Sequence, residues 1–400
     1  MKTTIFLILA WGTILISFAN DSIVSLKVYK PSGSFVVAEL HPYPKETLDS
    51  EAAESYTWLT NMQLPNGLLE STEGANFVSL YDNSLAALAF ISQGDIKRAE
   101  MIFDFFNARI ESELMNTTSG GFYQFRDAEG NNARTKWLGD NAWLLIALNN
   151  YEEITGNNRY QRMASELEKW IRSLQDNDGG LWGGTRENGN QIHKITEGII
   201  TAFNAVKGFD DFHKGILGFI KEQRWDANEQ VLVAQPDFPR YNFALDLYPL
   251  GFLIMEDLTV EVLHNANKFL NTQKMALNGE VVEGYCFDED KDVIWLEGTA
   301  QMALAYKVGG MDKEANSILN NLGETFIPSV LMNNVTAIPY TTNQGTSFET
   351  SNLWNNSCKV PALSSNVWYI FAKSAFSPFQ LEKNKEIPAE LKFWNYSSVN

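Results

Sequence analysis

Five carboxylates stand at the heads of five apolar segments: Asp82 in YDNSLAALAF, Asp140 in WLGDNAWLLIAL, Glu197 in TEGIITAFNA, Asp246 in LDLYPLGFLI and Glu297 in LEGTAQMALA. A weaker sixth copy, SSNVWYIFAK, puts Asn366 in the same place, and successive copies lie 49 to 69 residues apart. Acids gathered at one place can divide a proton-transfer task. One neutral carboxyl protonates a leaving oxygen while an ionised partner activates water or attacks, at carboxyl separations of roughly 6.5–9.5 Å for inversion and about 5 Å for retention at a glycosidic carbon. Crowding raises the pKa of some members and keeps one of them protonated near neutrality. Asp140 and Glu197 are the first choice for acid and base, with Glu70 and Glu297 as reserves. Capping alone also favours acids at helix starts. It does not explain why these acids head helices that are apolar on every side, or why aromatic-rich loops precede them.

Those loops read NGLLESTEGANFVSLYD, GGFYQFRDAEGNNARTKWLGD, GGLWGGTRENGNQIHKITEG and NGEVVEGYCFDEDKDVIWLEG. Each opens on glycine, runs through a short alternating piece, turns on Gly or Asn, and reaches the helix through Tyr, Trp or Thr. Their residues, together with Asp246 at the head of its own segment, supply a candidate binding set: Tyr81, Asp82, Trp137, Trp182, Arg186, His193, Asp246 and Trp295. The aromatic faces suit sugar rings and the spare carboxylates suit hydroxyls. Arg126, Arg134, Lys136, Arg186, Lys194 and Arg240 either pair with the acid ring or receive an anionic sugar.

The elements that must position these residues are helices. Between the apolar segments lie amphipathic ones: Thr47 to Met62, Asp95 to Ile110, Asn158 to Leu174, Asp210 to Gln223, Leu258 to Thr272 and Asp312 to Leu322. Each carries apolar residues at three-and-four spacing on one side and charge on the other. Six apolar and six amphipathic helices are the count that closes an all-α (α/α)6 barrel, with short β-hairpins in the loops at one end. In an alternating barrel all the long loops emerge at that end, which marks it as functional.

A net charge of −18, from 31 basic and 49 acidic residues, excludes a nucleic-acid partner. Lys2, the apolar run Ile5 to Ile16 and Ser17-Phe18-Ala19 read as a signal peptide over residues 1–19, implying a secreted or periplasmic monomer with no membrane anchor after cleavage. Residues 20–46 read as an extension with a hairpin around Pro31-Ser32-Gly33, residues 47–379 as the barrel and 380–400 as a tail. The only cysteines, Cys286 and Cys358, precede adjacent inner helices and are expected to form a disulfide. No metal or other cofactor is expected: no Cys/His cluster has ligand spacing, DEDKD at Asp288 lacks the Gly and distal Glu of a calcium loop, and no nucleotide motif occurs.

The tandem of loop and acid-headed helix, with DGGLWGG and WLGDNAW as its sharpest pieces, resembles the six-hairpin glycosidase superfamily from about Thr47 to Ser377. The resemblance implies a carbohydrate-active enzyme, most often an inverting glycoside hydrolase, with a cleft across the loop end. Three other functions fit less well. A polysaccharide lyase would use Tyr241 or His193 as base with Arg126 or Arg186 opposite a uronate; a sugar epimerase there usually wants paired histidines, and a binding protein would lack the acid pair.

Overall fold

The computed structural model describes residues 3–9, 12–19, 22–29 and 35–38, and the chain from 48 to 395 apart from 116–118, 235–241, 349–350 and 354–356. Arg240, Tyr241 and the turn at Pro31-Ser32-Gly33 lie outside the described residues. Two units form, Met1–Thr47 and Leu48–Asn400. In the first, β1 (Thr3–Leu9), β2 (Gly12–Ala19), β3 (Ser22–Tyr29) and β4 (Phe35–Ala38) make an antiparallel meander in chain order. The segment read as a signal peptide supplies β1 and β2. Among the described residues, no helix is long and apolar enough to cross a membrane.

The second unit holds twelve α-helices among its described residues. Six are inner: α2 (Leu80–Ser92), α4 (Leu138–Thr155), α6 (Thr196–Ala205), α8 (Leu247–Ile254), α10 (Leu296–Val308) and α12 (Leu363–Lys373). Each touches the next and α12 returns to α2, so the ring is closed. Around it stand α1 (Ser50–Met62), α3 (Ile96–Asn107), α5 (Gln161–Ser173), α7 (Asp211–Gln223), α9 (Glu261–Asn265) and α11 (Asp312–Gly323). The division follows from composition. In α5, Met163, Leu167, Trp170 and Ile171 bury one stripe, whereas α4 is buried continuously from Leu138 to Tyr151 and can only stand inside. The expected outer helix from Leu258 to Thr272 is shorter than its pattern suggests. It gives way at Ala266 to a 3₁₀ turn and at Leu270 to a strand, because Leu270–Lys274 pairs with the β-branched Val281–Tyr285 segment, and pairing overrides helical propensity.

Short antiparallel pairs decorate one end: β5 (Val78–Ser79) with β6 (Phe125–Arg126), β7 (Lys136–Trp137) with β8 (Gly184–Thr185), β9 (Trp225–Asp226) with β10 (Val231–Leu232), β11 (Leu270–Lys274) with β12 (Val281–Tyr285), β13 (Ile327–Pro328) with β14 (Thr336–Ala337), and β15 (Thr346–Phe348) with β16 (Ser351–Leu353). The first two pairs are not hairpins within a loop: β5 and β7 lead into α2 and α4 but pair with the loop of the following repeat. The same hand-off runs round the barrel. The first amide of α2 donates to the Gln124 carbonyl, that of α4 to Gly183, that of α10 to Tyr340 and that of α12 to Ser71. Leu245 N donates to Phe287 O, and Thr196 Oγ1 to Val233 O. The first amide of four inner helices, a lead-in amide before α8 and a hydroxyl at the head of α6 thus find their acceptors in a neighbouring repeat, and the last repeat closes on the first.

A second device fixes the register. Asn83, Asn141 and Asn366 each stand fourth in their helices, counting from Leu80, Leu138 and Leu363. Asn141 accepts from Phe122 N and donates to Phe122 O and Trp137 O; Asn83 treats Leu69 and Ser79 alike, and Asn366 treats Ile338 and Ala362 alike. Asn366 therefore corresponds to Asn141, not to Asp140, and the acid position of the sixth repeat is held by serine. Asp82 and Asp140 stand third in their helices, Glu197 and Glu297 second, and Asp246 is the residue before α8.

The opposite end is sealed by the tail. Asn150 Nδ2 holds Pro378 O, Asn204 Nδ2 holds Phe379 O, and the buried Lys385 ammonium donates to Val206 O and Gly208 O at the end of α6. Phe379 packs under Trp143 at 4.9 Å between ring centroids, and Trp143 meets Trp368 edge-on at 5.7 Å, so the barrel axis is filled with aromatic rings.

The expected disulfide is corrected: Cys286 and Cys358 are both buried and both free. Cys286 bridges Ile294, Trp295 bridges Thr341, and Tyr340 pairs with Ser357, so the 338–342 segment runs between the two cysteines. Three strand spacings of about 4.8 Å exceed the reach of a disulfide.

Candidate active site

At the loop end the N-termini of the inner helices surround a cavity of about 740 Å³. All five carboxylates line it: Asp82, Asp140, Glu197, Asp246 and Glu297. Tyr81, Trp143, Trp295, Phe77, Phe125 and Phe287 supply apolar walls, and Gln124, Gln301, Tyr340 and Ser71 supply polar ones. Helix N-termini favour negative charge, which offsets part of the cost of gathering five acids.

The acids differ in what holds them. Glu297 is the most thoroughly bonded: Oε1 accepts from the Tyr81 hydroxyl at 2.5 Å and from Gln301 at 3.3 Å, and Oε2 from Ser364 at 2.7 Å. Trp368 Nε1 donates to the Tyr81 oxygen at 3.0 Å, which orients the phenol as donor to Glu297. Burial raises the Glu297 pKa and these bonds oppose the rise. Among the described residues, Glu197 is tied by one oxygen only. Thr201 Oγ1 and Trp143 Nε1 donate to Oε1 at 3.0 and 3.4 Å, while Oε2 stands 2.7 Å from the place a Cβ on Gly139 would occupy. Burial raises its pKa as well. Asp140 accepts from Tyr81 N at 3.2 Å on one oxygen and Gln124 at 3.3 Å on the other; burial first, and the Glu197 charge second, push it well above the usual carboxylate range. Asp82 and Asp246 each leave Oδ1 buried without a partner among the described residues. Burial lifts both to about 7, with Glu297 adding to the effect at Asp82 and Glu197 and Glu297 at Asp246.

That last pair predicts a pH dependence. Asp82 binds its proton more tightly folded, at about 7, than unfolded, near 3.8. The stability contributed by the neutral carboxyl is complete below about pH 4 and is lost as pH rises through about 7. Asp82→Asn is therefore expected to raise the melting temperature at pH 8, by the equivalent of about 2–4 kcal/mol, and to leave it unchanged at pH 4. Calorimetry at the two pH values reads this directly, and an equal shift at both would contradict it.

Gly139 gives a second expectation. Alanine there improves helix propensity by about 1 kcal/mol but drives its methyl into Glu197 Oε2. Gly139→Ala should keep the melting temperature within a few degrees while lowering turnover at least about tenfold, because a small misplacement of a reacting group is enough.

Of the residues expected from sequence, Tyr81, Asp82, Asp140, Glu197, Asp246, Trp295 and Glu297 come together. Glu70 does not reach the cavity: its carboxylate accepts from Gly74 N and Asn76 N and holds its own loop. Trp137 lies over Gly139 and Trp182 under the Lys194 ammonium, 5.0 Å from the ring centre, and neither lines the cavity. Arg186 sits exposed at the turn it closes with Asn190, and His193 is exposed on the same loop. Two of the basic residues find their partners away from the acid ring. Arg126 forms a two-bond pair with buried Glu113, and Lys194 bridges Asp176 and Asp178. Among the described residues, the carboxylates close enough to share an ion are Asp288, Asp290 and Asp292, outside the cavity.

Sequence reading missed Gln124, Phe287, Tyr340 and Ser71. All four are residues whose carbonyls receive the lead-in amide of a neighbouring inner helix. The recurrent leucine at the first helical position, Leu80, Leu138, Leu296 and Leu363, is the signal that could have found the donor side of that bond.

No family model matches this sequence, and no curated protein does. Solved structures do. A glycosidase variant aligns with TM-score 0.58 and 13% identity over 84% of this chain and 98% of its own. A sugar epimerase from a ruminal bacterium aligns with TM-score 0.55 and 14% identity over 81% and 98%, and cellobiose 2-epimerase from Bacillus thermoamylovorans with 0.54 and 13% over 80% and 98%. With the ring closed and six loops gathered over one mouth, the fold of this chain is the (α/α)6 barrel that these carbohydrate-active structures share.

Proposed function

We propose that the protein is a glycoside hydrolase acting on a neutral poly- or oligosaccharide, with Glu197 as general acid and Glu297 as general base. The observation that carries this reading is the contrast between the two glutamates. Glu297 has donors on both oxygens, including a short phenolic bond of the kind a charged acceptor makes, and remains the ionised member. Glu197 keeps Oε2 free beside Gly139 and is the group able to deliver a proton. Asp140, first choice on sequence grounds, has both oxygens engaged by the protein and fits better as a neutral neighbour that orients Glu197 and sugar hydroxyls.

The two glutamates come from α6 and α10, with α8 and Asp246 between them. A pair set two helices apart leaves room for a water opposite the leaving group, which favours inversion. In the forward reaction the Glu197 proton passes to the glycosidic oxygen as its bond to carbon breaks. Glu297 takes a proton from the water that forms the new bond, so both groups exchange protonation states and are reset by solvent. Phe77, Phe125, Phe287 and Trp295 give the sugar rings apolar faces. No Lys or Arg of the described residues lines the cavity, which supports a neutral sugar over a uronate and weighs against a lyase. No described histidine lines it either, which weighs against a histidine-based epimerase. The same reading takes residues 1–19 as a secretion signal and the enzyme as a monomer.

The test is a panel of neutral glycans assayed for new reducing ends, for ultraviolet absorbance of an unsaturated product, and for deuterium uptake at sugar carbon in D2O. Reducing ends alone support the proposal, with the first-formed anomer giving the stereochemistry. Absorbance would indicate a lyase, deuterium an epimerase, and binding without product a lectin-like protein.

A further inference from the structure

Between β12 and α10 the chain reads Asp288-Glu289-Asp290-Lys291-Asp292. One carboxylate oxygen from each of Asp288, Asp290 and Asp292 lies within 4.8 Å of the others. Asp288 is 4% exposed and its Oδ1 has no hydrogen-bond partner. A second group comes from a distant segment. Thr346, at the head of β15, is also 4% exposed, and its Oγ1 is turned toward the Asp292 carboxylate with no other partner among the described residues. Glu289 is turned away, paired with Lys268 at 3.1 Å. Three carboxylates drawn together repel, and each buried oxygen without a partner adds a cost. A hard divalent cation answers both, since it takes six to eight oxygens from carboxylates, hydroxyls, carbonyls and water at about 2.3–2.6 Å.

We propose that Asp288, Asp290, Asp292 and Thr346 form a calcium site that clamps the loop before α10 to the β15 strand. The local sequence lacks the glycine and distal glutamate of a contiguous calcium loop; the fold supplies a further oxygen from Thr346 instead. The clamp has a functional neighbour. Phe287 immediately precedes the site, its ring meets Trp295 at 5.3 Å, and both rings line the cavity. An ion there fixes the wall that the sugar would touch. Calcium is favoured over magnesium because two of the three acids are exposed on an irregular loop, a setting that tolerates variable coordination better than a strict octahedron.

The experiment uses the full chain, stripped with a chelator and titrated with calcium chloride by calorimetry, with the melting temperature followed in parallel. One binding heat and a rise of about 2–5 °C at saturation are expected. The exposed pair Asp290→Asn and Asp292→Asn, made together, should abolish both signals while circular dichroism stays unchanged. Thr346→Val should weaken calcium at least about tenfold, and magnesium should bind the parent more weakly than calcium. Absence of a calcium heat in the parent, or an equal temperature rise in the double variant, overturns the site; equal binding of magnesium overturns the calcium assignment.

Discussion

Glu197→Gln is expected to lower kcat for glycan hydrolysis about 10²–10⁴-fold with KM and the melting temperature nearly unchanged. Glutamine keeps the acceptor that Thr201 and Trp143 bond and removes only the transferable proton. The basic limb of the pH–rate profile, set by loss of that proton, should disappear with it. Glu297→Gln should lose a similar factor through the water side of the reaction, and should remove the acidic limb. A substrate whose leaving group needs no protonation separates the two: it should restore turnover to Glu197→Gln and leave Glu297→Gln inactive. Rescue of both, or of neither, would refute the assignment of roles. If Asp140→Asn alone removed the basic limb, the proton donor would be Asp140.

Asn366→Ala should be the most damaging single change to stability outside the cavity, costing about 3–5 kcal/mol. The side chain is fully buried and holds Ile338 by both its amide and its carbonyl, Ala362 by its carbonyl, and Ser55 by its hydroxyl. Each bond is worth about 1 kcal/mol net, but the groups left behind are buried backbone atoms with no water to replace the amide. Asn366→Asp keeps the acceptor and loses the donor, and should fall between alanine and the parent. Denaturant unfolding of the three proteins measures the order, and an alanine variant within 1 kcal/mol of the parent would show that the amide is not the anchor.

How much of this was visible in the sequence depends on the distance over which each feature is encoded. The inner helices and their acids were legible because burial on all sides writes itself into a continuous apolar run, as from Leu138 to Tyr151. The exact register was not. Asn366 looked like a degenerate acid position and is instead the loop anchor that Asn83 and Asn141 also provide, a role visible only once the paired backbone is known. Trp182, Arg186 and His193 were plausible by composition, yet the alternation of a short strand sends neighbouring side chains to opposite sides, and a loop seen alone gives no sign of which side faces the cavity. Gln124, Phe287, Tyr340 and Ser71 escaped notice for the complementary reason: a bond from a different repeat places them. The cysteine pair failed on geometry, since an intervening segment holds the two thiols apart.

The seal at the far end of the barrel bears on how the molecule is made. Phe379 and Lys385 belong to a segment that leaves the ribosome only after the twelve described helices, yet Phe379 fills the axis beneath Trp143 and Lys385 satisfies carbonyls just past the end of α6. Until that segment arrives, the nascent ring has an open floor with aromatic rings facing water. Closure of the barrel therefore waits for that segment, and the interval before it is when the chain most needs protection from its neighbours.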